Sequence, residues 1–354
     1  MDVDKRYSLI ARNTMEIVTH EELREILNVN SKPRGYWGFE CSGFIHIGMG
    51  LITGRKIIDA VNAGVDFIIL LADWHSWINN KLGGDLGNIR LAGEYFIHGF
   101  TAIGVPRDKV KYVWASEIVN DPEYWETVIR IGKSVSLNRI VRALPIMGRK
   151  SEEEIREFAW LIYPLMQVAD IFMLKLDMAF AGIDQRKAHM LARDVSKKLG
   201  FKAPICIHTP LLPSLYQPVP MGKEEKIFTK MSKSKPESGI FIHDNEEEVK
   251  RKIIKSYCPP NDVESNPLFY LLEYIIFPYL EERGKGLIVK VKGNGEVEFK
   301  SLYELKAWYT QGKIHPLDLK ISIIDELNYI LTPIRKYFDK HSEILEEMRK
   351  IVQA

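Results

Sequence analysis

The sequence predicts an α/β protein with a doubly wound parallel sheet, followed by a mostly helical C-terminal domain. The run at 65–72, which is apolar except for Asp66, ends at the carboxylate of Asp73, as expected for a strand buried on both faces of a parallel sheet. Strand-like runs at 35–40, 110–115 and 178–182 alternate with helical patterns, which is typical of doubly wound domains. Helices are predicted at 7–29, with a second start at His20, at 51–62 and at 88–104.

The composition limits the classes of function. The 354 residues are 46% apolar, enough for two or three domains, and the net charge of +2 means that a nucleic-acid partner must be held by local basic patches. The charged amino terminus lacks an apolar core, and no apolar run reaches the length of a membrane span, so we expect no signal peptide and no membrane segment. The three cysteines show no metal-ligand spacing and favour a reducing interior. We therefore expect a cytoplasmic protein without a protein-bound metal.

A glycine-containing turn connects the first predicted strand to the helix at 51–62. This arrangement presents backbone N–H groups and a positive helix end to phosphate. His46 stands in this turn between Gly43 and Gly48, where it can donate to a phosphate oxygen or serve only the structure. A second turn, after 178–182, is suited to a ribose, although a turn glycine and an N-cap aspartate explain it equally well. That turn contains Gly182 and Asp184.

An apolar helix carries three polar side chains on one face. It opens with a capping box at Ser151 and Glu154, and Tyr163, Gln167 and Asp170 follow at i, i+4 and i+7. These groups are costly inside an apolar helix unless they are paired. Two hypotheses remain: a buried polar network that serves only the structure, or the floor of a pocket for a polar ligand.

Two basic segments are candidate anion sites. Residues 127–150 carry six basic and no acidic side chains, which is compatible with nucleic-acid contact or with a solvated helix face. The run from Lys230 to Lys235 alternates lysine with serine and methionine, as in a mobile loop that closes over polyphosphate or a plain solvated loop. The predicted parts are a catalytic domain at 1–202 with a helical insertion near 120–170, a proline-rich connecting segment at 203–240, and a mostly helical domain at 241–354 with a hairpin turn at Asn294-Gly295.

His46-Ile47-Gly48 and Lys230-Met231-Ser232-Lys233-Ser234 together resemble the paired signatures of class I aminoacyl-tRNA synthetases. The residues between them are similar to the tyrosyl enzymes of the archaeal and eukaryotic type, and the resemblance runs from about residue 8 to 338. It implies a Rossmann-like catalytic domain and an anticodon-binding domain at 241–354. The matching stretches are 36–40, 71–75, 163–170, 184–187 and 314–320.

The resemblance implies a role for each matching position. Tyr36 and Asp170 are expected to bind the phenol hydroxyl of L-tyrosine, and its ammonium group and backbone are assigned to Tyr163, Gln167 and Gln185. Leu70 and His75 complete the expected tyrosine site. The implied ATP-binding residues are Gly43, His46, Gly48, Gly182, Asp184, Met231 and Lys233. The implied catalytic residues are His46, Lys230 and Lys233. The implied tRNA-binding residues are Arg142, Arg186 and Lys187 for the first base pair of the acceptor stem and Asp318 for the anticodon.

The resemblance also implies binding partners, while three alternative functions remain open. It implies L-tyrosine, ATP with Mg²⁺ as its counter-ion, tRNA(Tyr), and a homodimer with its interface near 120–150. Met49 stands where the family usually has a second histidine, and a thioether cannot donate to phosphate. The rivals are a tryptophanyl-tRNA synthetase, a nucleotidylyltransferase of the same superfamily, and an inactive synthetase-like RNA-binding protein.

Overall fold

The structure, a computed structural model, describes residues 1–148, 155–221, 225–227, 230–231 and 236–353. The chain forms two compact units. The first comprises Met1–Gly43, Gly54–Pro210 and Glu346–Ala354, and the second comprises Phe44–Thr53 and Leu211–Leu345. No helix in the described ranges is long and apolar enough to cross a membrane.

A six-stranded sheet forms the centre of the first unit. Its strands are β1 Glu16–Val18, β2 Arg34–Phe39, β3 Asp66–Leu71, β4 Val110–Trp114, β5 Met178–Gly182 and β6 Ile205–Thr209. They lie in the order β1-β6-β5-β2-β3-β4, and all neighbouring strands run parallel except the edge strand β1, which is antiparallel to β6. The doubly wound sheet is thereby confirmed. The order of the strands reverses between β2 and β5, and open α/β sheets bind ligands at the carboxyl ends of strands at such a point.

Helices connect the parallel strands, as right-handed crossovers require. The buried faces of these helices are largely apolar, and one helix, Ala159–Met173, also buries polar side chains. The helices of this unit are α1 Val3–Ala11, α2 His20–Val29, α3 Thr53–Asn62, α4 Asp73–Ile78, α5 Leu86–Ile103, α6 Ala115–Ile118, α7 Pro122–Ser134, α8 Leu137–Val141, α9 Ala159–Met173 and α10 Arg186–Leu199.

Two segments of this unit differ from the sequence prediction. The helix expected at 7–29 is interrupted by β1, a three-residue strand that is too short for its alternation to be recognised. The sequence predicts a connecting segment from residue 203 onward. In the structure this segment begins with β6, a fully buried strand. Pro204 and Pro210 flank β6, where a proline removes no hydrogen bond from the ladder. The proline-rich composition therefore concealed a strand.

The second unit is mostly helical, as predicted, and residues 44–53 belong to it. The amide of Ile47 donates to the carbonyl of Ile240 at 2.8 Å, and Ile242 N donates to Ile45 O at 3.0 Å. The sequence prediction had placed 44–53 with the catalytic domain. A π-helical turn spans Gly48–Ile52, and another, Leu272–Ile276, joins α12 to α13. The other elements of this unit are β7 Val219–Met221, β8 Glu225–Ile227, α11 Glu246–Lys255, α12 Pro267–Leu271, α13 Phe277–Glu282, β9 Leu287–Val291, β10 Gly295–Phe299, α14 Leu302–Thr310 and α15 Pro316–Lys340. The last helix, α16 Ser342–Gln353, begins in this unit and continues into the first from Glu346.

Candidate active site

The seven residues predicted to bind tyrosine all lie in the first unit. The register of the sheet places Tyr36 opposite Ile68 of β3 and Ala179 of β5, at the reversal of strand order. The other six residues lie in or just after β3, on α9, or in the turn after β5. The contributions are Tyr36 from β2, Leu70 from β3, His75 from α4, Tyr163, Gln167 and Asp170 from α9, and Gln185 from the 3-10 turn after β5.

Asp170 is a buried carboxylate with two partners. The residue is 1% exposed, and its Oδ1 accepts a hydrogen bond of 2.7 Å from the hydroxyl of Tyr124. Nε2 of His75 lies 3.1 Å from Oδ2, but the angles of this contact are not those of a hydrogen bond. Burial is the largest single influence on His75 and lowers its pKa, but the interactions with Asp170, Glu40 and Asp73 together exceed it, so the pKa of His75 is raised. The carboxylate therefore has a defined orientation and compensation for its charge.

Tyr36 lies close enough to the same carboxylate for its phenol to be affected by the carboxylate charge. Burial, and then the charge of Asp170, raise the pKa of the Tyr36 phenol well above its ordinary value, so it stays protonated and can donate. Leu70 and Tyr124 belong with Tyr36 to one buried cluster, which makes the walls apolar. A ligand hydroxyl that enters here meets a phenol and a carboxylate in an otherwise apolar space.

A second carboxylate, Glu40, lies beyond His75 and Tyr163. The rings of His75 and Tyr163 meet edge to face, with their centroids 5.0 Å apart. The hydroxyl of Tyr163 donates to Oε1 of Glu40 at 2.9 Å, as does Nδ2 of Asn79 at 2.7 Å. Nζ of Lys81 lies 3.4 Å from Oε2 of Glu40. This carboxylate can balance a cationic ligand group.

The amide of Gln167 presents an oxygen without a partner. Its Nε2 donates to Oε1 of Gln185 at 3.3 Å, and Nε2 of Gln185 donates to the carbonyl of Ile146 at 3.0 Å. Oε1 of Gln167 is buried and accepts no hydrogen bond from any residue that the structure describes. Such an acceptor is costly unless a ligand donates to it, and an ammonium group supplies that donor.

In the second unit, the turn that contains His46 is held by backbone pairing. His46 forms a bridge with Phe241, and its Nδ1 accepts from the amide of Met49 at 3.2 Å. In a neutral imidazole this leaves the proton on Nε2, which is then a donor. A Cβ on Gly48 would lie 3.2 Å from Cβ of Leu212, so the turn passes close to that residue.

The lysine motif begins beside the same leucine. Lys230 forms a bridge with Pro213, and the amide of Met231 donates to the carbonyl of Leu212 at 3.0 Å. The second unit thus brings the start of the lysine motif and the histidine turn to neighbouring positions. Lys233 and the rest of 232–235 lie outside the described residues, as does the predicted capping box at 151–154.

The remaining predicted positions are on the surface or in turns. Gly43 has a φ of +72°, which favours glycine, and Gly182 ends β5. Arg186 and Lys187 open α10 and are exposed. Asp184 lies in the turn before α10, Arg142 is exposed at the end of α8, and Asp318 lies in the first turn of α15. Within the described residues, no group of three or more His, Cys, Asp or Glu side chains is arranged to hold a metal ion.

Sequence reasoning missed Tyr124, Glu40 and Asn79. Tyr124 lies on the apolar face of α7, where its spacing is that of an ordinary core aromatic. Glu40 follows β2 at the carboxyl end of a parallel strand, which is the position where a site residue is expected. Glu40 could therefore have been found, whereas nothing local distinguishes Tyr124 or Asn79.

Comparisons with known proteins identify the class. The model of one family, tRNA synthetases class I (W and Y), matches residues 28–332. The structure of tyrosyl-tRNA synthetase from Pyrococcus horikoshii complexed with L-tyrosine matches with a TM-score of 0.91 and 43% identity, over 99% of this chain and all of that one. Tryptophanyl-tRNA synthetase from Plasmodium falciparum matches at 17% identity with a TM-score of 0.71, over 99% and 91% of the two chains, which shows the fold alone. The chain belongs to the class I aminoacyl-tRNA synthetases for tryptophan and tyrosine.

Within this class, its relatives are the tyrosine enzymes. The tyrosine--tRNA ligase of Sulfurisphaera tokodaii is 50% identical over 359 residues, covering 99% of this chain and 98% of that protein. The chain thus belongs to the tyrosine--tRNA ligase family, and the resemblance predicted from its motifs is confirmed.

Proposed function

We propose that this protein activates L-tyrosine with ATP and transfers the tyrosyl group to tRNA(Tyr). The single observation that carries the choice of amino acid is the buried Asp170 carboxylate, whose charge acts on the buried Tyr36 phenol. A tyrosine hydroxyl can donate to Asp170 and accept from Tyr36. Phenylalanine has no hydroxyl and leaves both groups unpaired, a type of discrimination for which tyrosyl enzymes are the known example.

The other end of the amino acid is assigned to the amides and the second carboxylate. The ammonium group donates to Oε1 of Gln167, which has no partner among the described residues, and Tyr163 and Gln185 are assigned to the same group. Glu40 supplies negative charge near Tyr163. Leu70 and His75 complete the pocket.

In the first step, a carboxylate oxygen of tyrosine attacks the α-phosphorus of ATP. A carbon–oxygen–phosphorus linkage forms, the bond from the α-phosphorus to the bridging oxygen breaks, and pyrophosphate leaves with the electron pair. In the second step, a hydroxyl of the terminal ribose of tRNA attacks the tyrosyl carbonyl and AMP leaves. The protein orients these groups and stabilises the charge that develops on phosphate.

The remaining assignments come from the family resemblance. His46, Lys230 and Lys233 stabilise the phosphates during the reaction, and Gly48 and Met231 contact ATP. Gly43, Gly182 and Asp184 are further expected ATP contacts. Magnesium accompanies ATP as its counter-ion, and the enzyme acts in the cytoplasm as a homodimer. The tRNA contacts are Arg142, Arg186, Lys187 and Asp318.

Amino-acid-dependent pyrophosphate exchange tests the proposal. Purified protein with ATP and labelled pyrophosphate is given tyrosine, tryptophan or phenylalanine in parallel. We expect exchange with tyrosine alone, because only its hydroxyl pairs with both Asp170 and Tyr36. Exchange with tryptophan alone would identify the tryptophan enzyme, and no exchange with any of the three would favour an inactive RNA-binding protein.

A further inference from the structure

Four polar side chains in the first unit form a continuous hydrogen-bonded row, and three of them have no role in the proposed function. The antiparallel register places Glu16 of β1 directly opposite His208 of β6. Nδ1 of His208 lies 2.8 Å from Oε2 of Glu16, and its Nε2 lies 3.0 Å from Nδ1 of His189 on α10. At the other end, Nε of Arg186 donates to both oxygens of Glu16, at 2.9 and 2.8 Å.

The chemistry of the row sets the direction of its hydrogen bonds. An ionised carboxylate only accepts, so Nδ1 of His208 carries a proton and donates to Glu16. Nε2 of His208 then accepts from Nδ1 of His189. Burial lowers the pKa of both imidazoles, so both stay neutral. Nε2 of His189 is buried without a partner among the described residues, as expected for its unprotonated nitrogen.

The row restrains one side of the Arg186 guanidinium. Nε of Arg186 is hydrogen-bonded to Glu16. Neither of its Nη groups forms a hydrogen bond with any residue described in the structure. The side chain is 46% exposed, so the Nη groups remain accessible to a ligand. A guanidinium held in this way offers paired donors to a phosphate or to a base edge. It also has less rotamer freedom to lose when it binds.

We propose that Glu16, oriented by His208, is a positioning residue that presents Arg186 to the RNA substrate. The inference rests on the proposed function, because it takes the ligand of Arg186 to be tRNA. Activation of tyrosine needs no RNA, so the contribution of Glu16 belongs to the transfer step alone. Its removal therefore affects tRNA binding without changing adenylate formation.

A double-mutant cycle tests the coupling. Glu16→Ala, Arg186→Ala and the double variant are compared in steady-state aminoacylation, and Glu16→Ala is also assayed by pyrophosphate exchange. We expect Glu16→Ala to raise the KM for tRNA about tenfold and to leave pyrophosphate exchange unchanged. In the Arg186→Ala background, the same change should have no further effect, because the two residues act as one unit.

Each other outcome has a defined meaning. An unchanged KM for tRNA, or an undiminished effect of Glu16→Ala in the Arg186→Ala background, would overturn the proposal. A fall in KM would overturn it too, because Glu16 would then compete with RNA for the guanidinium. Failure of the unaltered protein to exchange pyrophosphate with tyrosine would instead refute the proposed function.

The neighbouring pair of Glu22 and Arg193 provides a matched control. Arg193 on α10 donates to Glu22 on α2 through Nη1 and Nη2, at 2.8 and 2.9 Å. Glu22→Ala breaks a similar pair without touching Arg186, so the KM for tRNA should not change. His208→Asn keeps a donor for Glu16 and should retain a lower KM than His208→Leu. Thermal melting of each variant identifies any that fails to fold.

Discussion

Tyr124 donates its hydroxyl to Oδ1 of Asp170 at 2.7 Å, across 46 positions of sequence. The bond occupies one carboxylate oxygen and leaves the other beside His75. Under the proposed function, Tyr124 therefore sets the direction in which Asp170 can accept a hydrogen bond from the substrate. It acts on the amino acid through another side chain.

Removing this bond should weaken the recognition of tyrosine. We expect Tyr124→Phe to lower kcat/KM for tyrosine in pyrophosphate exchange about 10-fold or more, the size of one hydrogen bond to a charged group. The KM for ATP should not change. Tyr309→Phe is the control, because Tyr309 donates its hydroxyl to the carbonyl of Pro259 in the second unit. Equal losses in the two variants would contradict a specific effect of Tyr124.

Replacing the carboxylate itself should have a larger effect. We expect Asp170→Ala to lower kcat/KM for tyrosine at least ~100-fold, because a charged acceptor for the substrate hydroxyl is lost. Asp66→Ala serves as the control, since Asp66 pairs with Lys111 at the start of β3. Tyrosine kinetics that stay unchanged in Asp170→Ala would remove Asp170 from the pocket.

A substitution at Gln167 distinguishes the two hypotheses for the polar face of α9, a structural network or a ligand site. Gln167→Met removes a buried oxygen that has no partner among the described residues and loses only the 3.3 Å hydrogen bond to Gln185, so the melting temperature should change little. The same change removes an acceptor for the ammonium group, and kcat/KM for tyrosine should fall about 10-fold. Gln311→Met, at an exposed helix end, should alter neither quantity. A lower melting temperature with intact kinetics would indicate a purely structural role.

The two buried histidines make stability depend on pH. The pKa of His189 is lowered by burial and then by His208, so the unfolded chain binds more protons than the folded one just below the ordinary histidine pKa. Stability is complete above that pKa, about 6.5, and falls as the pH drops below it, by at most about 1.4 kcal/mol per pH unit for each histidine.

Urea unfolding at pH 7.5 and 5.5 measures this loss. We expect His189→Asn, which keeps a donor for His208, to lose less stability between the two pH values than the unaltered protein. His20→Asn, at an exposed position, should show the full loss. An identical loss in all three proteins would exclude His189 as a source of the acid sensitivity.

In the second unit, a buried ion pair anchors the chain next to His46. Nζ of Lys252 donates to Oδ2 of Asp244 at 2.5 Å, and the same oxygen accepts from the amide of Phe241 at 3.0 Å. Burial raises the pKa of Asp244 despite Lys252, so desolvation exceeds the attraction within the pair. Asp244→Ala leaves Lys252 buried without its carboxylate and should lower the free energy of unfolding by about 3–5 kcal/mol.

The double variant Asp244→Leu with Lys252→Met should recover part of this loss, because it removes both charges together. The exposed pair of Glu237 and Arg251 is the control, and Glu237→Ala should cost less than about 1 kcal/mol. Chemical denaturation measures all of these values. A loss in Asp244→Ala as small as in Glu237→Ala would show that the pair is effectively solvated.

The resemblance to known motifs was enough to list seven tyrosine-site residues, but it did not reveal how they are held. Periodicity placed Tyr163, Gln167 and Asp170 on one helix face, because one turn of helix brings such positions together. No local pattern indicated that Tyr124 would reach Asp170. The partner of a buried polar group is chosen by packing between distant segments.

The sequence by itself determined the alternating strands and helices, the polar face of α9 and the family, since these depend on local periodicity and on motifs. Tertiary structure alone decided that β6 joins the sheet, that residues 44–53 pair with 240–242, and that Glu16 meets His208 across 192 positions of sequence. The periodicity of apolar residues in the sequence indicates which face of a helix or strand is buried. Register and strand order decide which distant side chains meet there, and those meetings create the hydrogen bonds on which the proposed site depends.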